Sequence, residues 1–327
     1  MGIESDISSI LHGDPTLLHK DIDVLTEADI TKFVPKTKYN MCYICAAILF
    51  DDNGDVLLIQ EAKVSCRGTW YLPAGRLEPG ETLIDGTKRE VKEEAGLECE
   101  LKALIGVEIL SHTWMRFTFT GKVTGGKLKT LKEQDEESMQ AKYFSKEELL
   151  ASSTNIRHND IYRLIELGRK FWATDLSGNS LHTLPAIVPH KHLIHRVIII
   201  DHSNNSEKTK MHVLVNLKNG PHIPTALINH GREASIALSV YAIIRDAFTK
   251  NPSSASIRMC GILGVEHRGT GEQEDGICIT SLVSLDLSDG IEPPSVTSSN
   301  YKWCLINEID LQKKLSDGAK GKIIPLL

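Results

Sequence analysis

No apolar run in this chain is long enough to cross a bilayer. The opening stretch, MGIESDISSILHGD, lacks the basic n-region and hydrophobic core of a signal peptide. Met1-Gly2 does not suit a myristoyl anchor either, because position 6 is Asp6 where Ser or Thr is needed. A membrane is therefore not an expected partner. Nor is there an excess of positive charge: 37 Lys and Arg against 43 Asp and Glu leave a net charge of −6. That balance excludes nucleic acid as an expected partner, and a polyanionic ligand would need a local cation site. The cysteines number seven, an odd count without a secretory signal, so reduced thiols in a cytoplasmic protein are expected. Cys42 and Cys45 form a lone CxxC inside MCYICAAILF. No second pair follows, and residues three apart on a strand face opposite sides. The motif reads as two core thiols rather than a zinc or redox site.

What is present is ordinary globular material: 41% hydrophobic and 24% charged residues over 327 positions, enough for two domains. A polar leader spans 1–37. Strand signals follow in YICAAILF and VLLIQEA, with Asn53-Gly54 between them as a hairpin turn signal. LKALIGVEIL and RFTFTGKV read as further strands, and IRHNDIYRLIELGRKFW (156–172) as a helix. The first domain is thus expected over 38–172. Residues 173–190 mix Ser, Gly, Asn and Pro without periodicity and read as a linker. His190, His192 and His195 read as a solvated linker and strand edge, since no Cys or carboxylate cluster accompanies them. A second α+β domain is expected over 191–327. Its word order (VLVNL, GPHIPTAL, a helix over 232–248, ILGVE, YKWCLINEIDL) echoes the first half, as a duplicated fold would; an unrelated α+β domain is the alternative.

The most unusual stretch is REVKEEAGL (89–97). Thr82 and Asp85 have the spacing of an N-terminal capping box, and Gly96 can stop a helix, so a helix over 82–95 is expected. On it Glu90, Glu93 and Glu94 share a face, three and four positions apart, where like charges repel. Arg89 can hold one acid in place. A solvated acidic face is the bland reading; a bound hard divalent cation removes the repulsion, and Mg²⁺ takes such oxygen ligands along with substrate phosphates.

Gly75, five residues, Glu81, seven residues, Arg89-Glu90-Val91, one residue, Glu93-Glu94, one residue, Gly96-Leu97 match every fixed position of the Nudix box. The chain resembles a Nudix hydrolase over about 38–172. VLLIQEAKVSCRGTWYLPAGRLEPGE, LKTLKEQDEESMQAKYF and NYKWCLINEIDLQ further resemble the MutT homologues that act as 8-oxo-(deoxy)guanosine diphosphate phosphatases. The resemblance implies an α/β/α sandwich with a mixed β-sheet, followed by a degenerate copy without the box. It implies Mg²⁺, with Mn²⁺ as substitute, on Glu90, Glu93, Glu94 and the carbonyl of Ala74 or Gly75, with Arg89 orienting the acids. The substrate would be a small nucleotide, an oxidised nucleoside diphosphate; another diphosphate such as a nucleotide sugar, or a weakly active scaffold, are the alternatives. The general base is left between Glu90 and the loop acids Glu136 and Glu137. Trp114 or Phe117 would stack the base, unless packed in the core. Oligomeric state stays open.

Overall fold

The computed structural model describes residues 2–14, 18, 21–24, 33–111, 113–151, 153–175, 181–203, 210–228, 236–248, 255–269, 274–287 and 293–327. The chain divides into two compact units. One comprises Thr37–Glu108, Trp114–Ser180 and Leu327; the other comprises Met1–Lys36, Ile109–Thr113 and Leu181–Leu326. Helix α1 (Ile3–His12) belongs to the latter.

The box-bearing unit runs β1 (Cys42–Leu49), β2 (Val56–Glu61), β3 (Trp70–Tyr71), β4 (Ala74–Arg76), α2 (Leu83–Ala95), β5 (Leu97–Ser111), β6 (Trp114–Gly126), β7 (Ser138–Phe144), α3 (Lys146–Leu150) and α4 (Asp160–Asp175). Its strands form two sheets, ordered β4-β1-β6-β5 and β3-β2-β7. The first is mixed: β1 runs antiparallel to β4 and parallel to β6. Strands β1 and β2 are apolar on both faces because both faces are covered. Ala47, Leu49, Leu57 and Ile59 join Val91 and Ala95 of α2 in one cluster. Ile48, Val56 and Leu58 join Ile161, Leu164 and Ile165 of α4 in another. The sheets thus lie between α2 and α4 as an α/β/α sandwich.

The Asn53-Gly54 signal makes a turn but not the hairpin expected of it. Gly54 has φ 81°, and Asp51 Oδ1 accepts from the N–H groups of Asn53 and Asp55, both at 2.9 Å. One bridge, Phe50 to Val56, follows before β1 and β2 part into different sheets. The Asp51 side chain closes the turn, so the chain reverses without a ladder.

The box-less unit runs β8 (His190–Ser203), β9 (Lys210–Asn216), β10 (Thr225–Leu227), α5 (Ile236–Ala247), β11 (Ala255–Glu266), β12 (Asp275–Leu287), β13 (Tyr301–Leu305) and α6 (Ile309–Ala319). Much of its pairing repeats that of the first, although β8 also pairs with β9 in one sheet where β1 and β2 lie in different sheets. Strand β8 is antiparallel to β10 and parallel to β12, as β1 is to β4 and β6. Strand β12 pairs with β11, and β9 with β13, as β6 pairs with β5 and β2 with β7. Register agrees too: Ala47 N–H donates to Pro73 O at 3.0 Å, and Val197 N–H to Pro224 O at 2.9 Å. That aligns Gly75 with Ala226 and Cys45 with His195. Order, direction and register together favour duplication.

The described residues of the expected leader 1–37 include α1, which packs into the box-less unit. Ile7, Ile10 and Leu11 of α1 are buried with Ile198, Leu263 and Leu315 in the box-less unit's core, where each such side chain is worth about 1.5–3 kcal/mol. Downstream, Val24 bridges to Ala226. The linker expected over 173–190 is likewise shorter: α4 continues to Asp175, Ala186 bridges to Glu266, and β8 starts at His190. The histidines are not a solvated edge, because β8 is a central strand. His190 bonds Glu266 at 2.8 Å, and His195 is fully buried between Ser239 and Ser281. Burial with only hydroxyl partners pushes its pKa down to about 3. Cys42 and Cys45 are free thiols, Cys45 fully buried. Among the described residues, no helix is long and apolar enough to cross a membrane.

Candidate active site

Helix α2 begins where its sequence says. Thr82 Oγ1 accepts from Asp85 N–H at 3.0 Å and donates to the Asp85 carboxylate at 2.7 Å. It ends on Gly96, left-handed at φ 75°. Between these caps, Val91 and Ala95 face the core and the acids face β4.

Arg89 organises the acids. Its Nε and Nη2 donate to the two oxygens of Glu81 at 2.7 and 3.1 Å. Nη1 donates to Glu90 and to Glu93, both at 2.8 Å, and Nη2 also reaches the carbonyl of Arg76 at 3.0 Å. Asp85, also four residues from Arg89, is engaged with Thr82 instead. Burial works against the charge on Glu81, but the Arg89 fork and the Glu78 N–H hold its carboxyl below the usual range. Glu94, only 1% exposed, is anchored separately: its Oε2 accepts from Ala74 N–H at 2.8 Å.

Strand β4 approaches the helix closely enough that residue 75 must be small. A methyl group at Gly75 would collide with the Glu90 carboxylate. Gly86 leaves comparable room, since a methyl there would meet Leu77 at 2.5 Å and Glu81 at 3.1 Å. Burial raises the pKa of Glu90 despite Arg89, and raises that of Glu94 well above the ordinary value. All-oxygen donors, a glycine-lined approach and buried carboxylates that outnumber the one guanidinium among them suit a hard cation.

Glu90 and Glu93 floor a cleft of about 790 Å³, within the size range of small-ligand sites, while Glu94 is buried behind Ala74 and is not among its lining residues. Glu90, Glu93, Ala74 and Gly75 line it, as does Glu137, whose charge acts on Glu90. Glu137 lies 3.7 Å from Lys63. Glu136 is not among the lining residues. Strand alternation decides between the two aromatics. Trp114 and Arg116 of β6 point into the cleft; Phe117 points the other way, fully buried against Tyr43 at 6.2 Å between ring centroids. Phe117 therefore offers no stacking surface.

Lys38, Lys63, Arg76, Arg116 and Arg157 supply the local positive charge that an acidic chain needs to hold an anion. Sequence reading missed most of this wall. Arg116 is 8% exposed and bonds Glu108, Tyr71 Oη at 2.7 Å and Asp160 at 2.7 Å. Arg157 bonds Glu61 at 2.5 Å. The available signals were an Arg within the apolar run WMRFTF and a Glu ending VLLIQE, since lone charges in buried strands need partners.

Among the described residues, the box-less unit has no such acid cluster on its helix α5. If Gly86 answers to Ser239, which contacts His195 as Gly86 neighbours Cys45, then Glu90 and Glu94 answer to Ile243 and Ala247. Both lie in an apolar cluster with Ala226. The amide at Thr225, equivalent to Ala74, takes its carboxylate from elsewhere: Asp23 accepts from Thr225 N–H at 2.8 Å and from His222 at 2.8 Å.

Residues 43–165 match the family profile described as the NUDIX domain. The chain is 37% identical over 291 residues to the 8-oxo-dGDP phosphatase NUDT18 of Mus musculus, covering 86% of this chain and 85% of that protein. It is 35% identical over 334 residues to the Homo sapiens protein of that name, covering 99% and 98%. The Danio rerio protein of that name is 32% identical over 330 residues, covering 99% and 97%. Nudix hydrolases generally use divalent metal ions, which agrees with the oxygen-rich floor of the cleft. With its intact box on α2, its α/β/α sandwich and relatives of near-equal length, the chain belongs to the Nudix hydrolase family.

Proposed function

We propose that the chain hydrolyses oxidised purine nucleoside diphosphates, 8-oxo-dGDP and 8-oxo-GDP, to the monophosphate and phosphate. The observation that carries this reading is the acid floor set by Arg89 and Ala74 beneath a cationic cleft. Near-full-length similarity to phosphatases named for 8-oxo-dGDP selects the substrate. Glu90, Glu93, Glu94 and the carbonyl of Ala74 or Gly75 would hold Mg²⁺, with Mn²⁺ as substitute. Such an ion, when bound, neutralises diphosphate charge and makes a coordinated water more acidic.

The side chains do the remaining work. Arg89 keeps Glu90 and Glu93 from splaying under mutual repulsion. The Ala74 amide fixes Glu94 against β4. The cationic wall binds and orients the diphosphate, and Trp114 is the aromatic face available to the base. Water attacks the terminal phosphorus, the bond from that phosphorus to the bridging oxygen breaks, and the monophosphate leaves. The water's proton passes to Glu90 or Glu137, which share the cleft. Glu90→Gln and Glu137→Gln separate them, since only loss of the base removes the acid limb of the pH–rate profile. The cytoplasm, where all seven cysteines stay free thiols, is the proposed location.

A phosphate-release assay over 8-oxo-dGDP, 8-oxo-GDP, dGDP and ADP-ribose, with and without Mg²⁺, tests the reading. Metal-dependent release greatest from the 8-oxo diphosphates is expected. Release unaffected by chelator, or confined to ADP-ribose, refutes it.

A further inference from the structure

The loop between β6 and β7 carries Glu137, which lines the cleft and whose charge bears on Glu90. Half of the Glu137 side chain is exposed, and so is that of Lys63, 3.7 Å away. An exposed ion pair of this kind fixes a side chain poorly. What fixes Glu137 is its backbone.

Asp135 closes that backbone. Its Oδ1 accepts from Glu137 N–H at 3.0 Å and from Ser138 N–H at 3.1 Å. Its own N–H donates to Ser138 O at 3.1 Å, so the turn folds around one carboxylate. Its Oδ2 takes Lys129 Nζ at 2.6 Å. Lys129 is buried, and the same ammonium donates to the carbonyl of Glu93 at 2.9 Å.

The far end of this chain of bonds is the last turn of α2. A helix leaves its final four carbonyls without partners of its own. Lys92 O takes Gly96 N–H at 3.0 Å, and Glu93 O takes the Lys129 ammonium. Glu94 O takes the hydroxyl of fully buried Ser138 at 2.6 Å, and Ala95 O takes Lys129 N–H at 2.9 Å. The carbonyls of Glu93, Glu94 and Ala95 are therefore capped by the two residues that flank the Glu137 loop, Lys129 before it and Ser138 after it. The helix that carries the acids and the loop that carries Glu137 are bolted to each other.

We propose that Asp135 and Lys129 are positioning residues for the reaction, holding Glu137 over the cleft beside Glu90. The inference rests on the phosphatase reading above and assigns what places one of its acids. A cap that only stabilised α2 would act on turnover independently of the Glu137 carboxylate.

The test is a double-mutant cycle on the full chain with Mg²⁺ and 8-oxo-dGDP, using Asp135→Ala, Glu137→Gln and the two combined. The Asp135 side chain is half exposed, so its removal leaves the core intact. Each single variant is expected to lower kcat at least ~10-fold with KM within about 3-fold. In the Glu137→Gln background, Asp135→Ala should cost no more than about 2-fold further, because no carboxylate remains to be placed. A readout without turnover accompanies the cycle: in the metal-free protein, Asp135→Ala should speed hydrogen exchange at the Glu137 and Ser138 amides at least ~10-fold. If Asp135→Ala does not fold, Asp135→Asn, which keeps an acceptor for both amides but not the charge facing Lys129, replaces it under the same coupling criterion. Losses that multiply in the double variant, wild-type kcat in either single variant, or unchanged exchange at the two amides overturns the inference. Absence of phosphate release from 8-oxo-dGDP and 8-oxo-GDP by the wild type would instead bring down the function on which it rests.

Discussion

Replacing Glu94 by Gln separates two effects that usually travel together. Glu94 is 1% exposed, and its Oε2 takes the Ala74 N–H at 2.8 Å. Gln keeps an acceptor oxygen for that amide and nearly the same volume, so β4 and α2 stay in register. What disappears is a negative charge that burial already disfavours. The metal-free protein should therefore be no less stable than wild type. Cation binding should suffer: at a concentration 100 times Kd, a ligand stabilises by about 2.7 kcal/mol. In a unit of this size that corresponds to a rise in Tm of roughly 5–10 °C. The wild type should show a rise of this order on adding Mg²⁺, and Glu94→Gln little or none. Turnover should fall at least ~10²-fold, or about 2.7 kcal/mol in the barrier. Thermal scans with and without Mg²⁺, beside phosphate release, measure both. A variant that keeps activity within about 3-fold, or the full Mg²⁺-dependent rise, would refute the assignment.

Gly75→Ala drives a methyl into the Glu90 carboxylate; about 1–3 kcal/mol of destabilisation and roughly 10²-fold loss of turnover are expected by melting and steady-state assay. Raised pKa values at Glu90 and Glu94 mean that the metal-free protein holds extra protons above pH 4.5. Its stability should fall as pH rises through that window, because the folded state binds more protons than the unfolded one. Metal binding there should release protons, seen in calorimetry as a dependence on buffer ionisation enthalpy; no release would contradict the burial argument. Burial disfavours charged His222, yet Asp23 and the Gly220 carbonyl raise its pKa above 6.5. The stability it contributes is full below pH 6.5 and is lost as pH climbs through the raised value. Asp23→Ala should flatten that slope and cost about 2–4 kcal/mol by denaturant titration, having removed the carboxylate that the Thr225 amide and His222 Nε2 share.

The catalytic helix was legible because caps, box and periodicity agree within one continuous stretch, so Thr82, Arg89, Glu90 and Gly96 carry local information. Separation of β1 from β2 was not, because Asn53-Gly54 describes a turn and cannot say which sheet each strand joins. Trp114 and Phe117 looked equivalent in HTWMRF; only the parallel pairing of β6 with β1 assigns their faces. Glu61 and Arg157 lie 96 positions apart, beyond any periodicity. The polar first 37 residues concealed α1, whose three buried side chains have meaning only against strands made much later.

Asp23 meets Thr225 across 202 residues of intervening chain. The whole catalytic half is therefore synthesised between the two partners of this bond. Closing so long a loop is slow compared with local pairing, so the contact of Asp23 with Thr225 should be among the last to form.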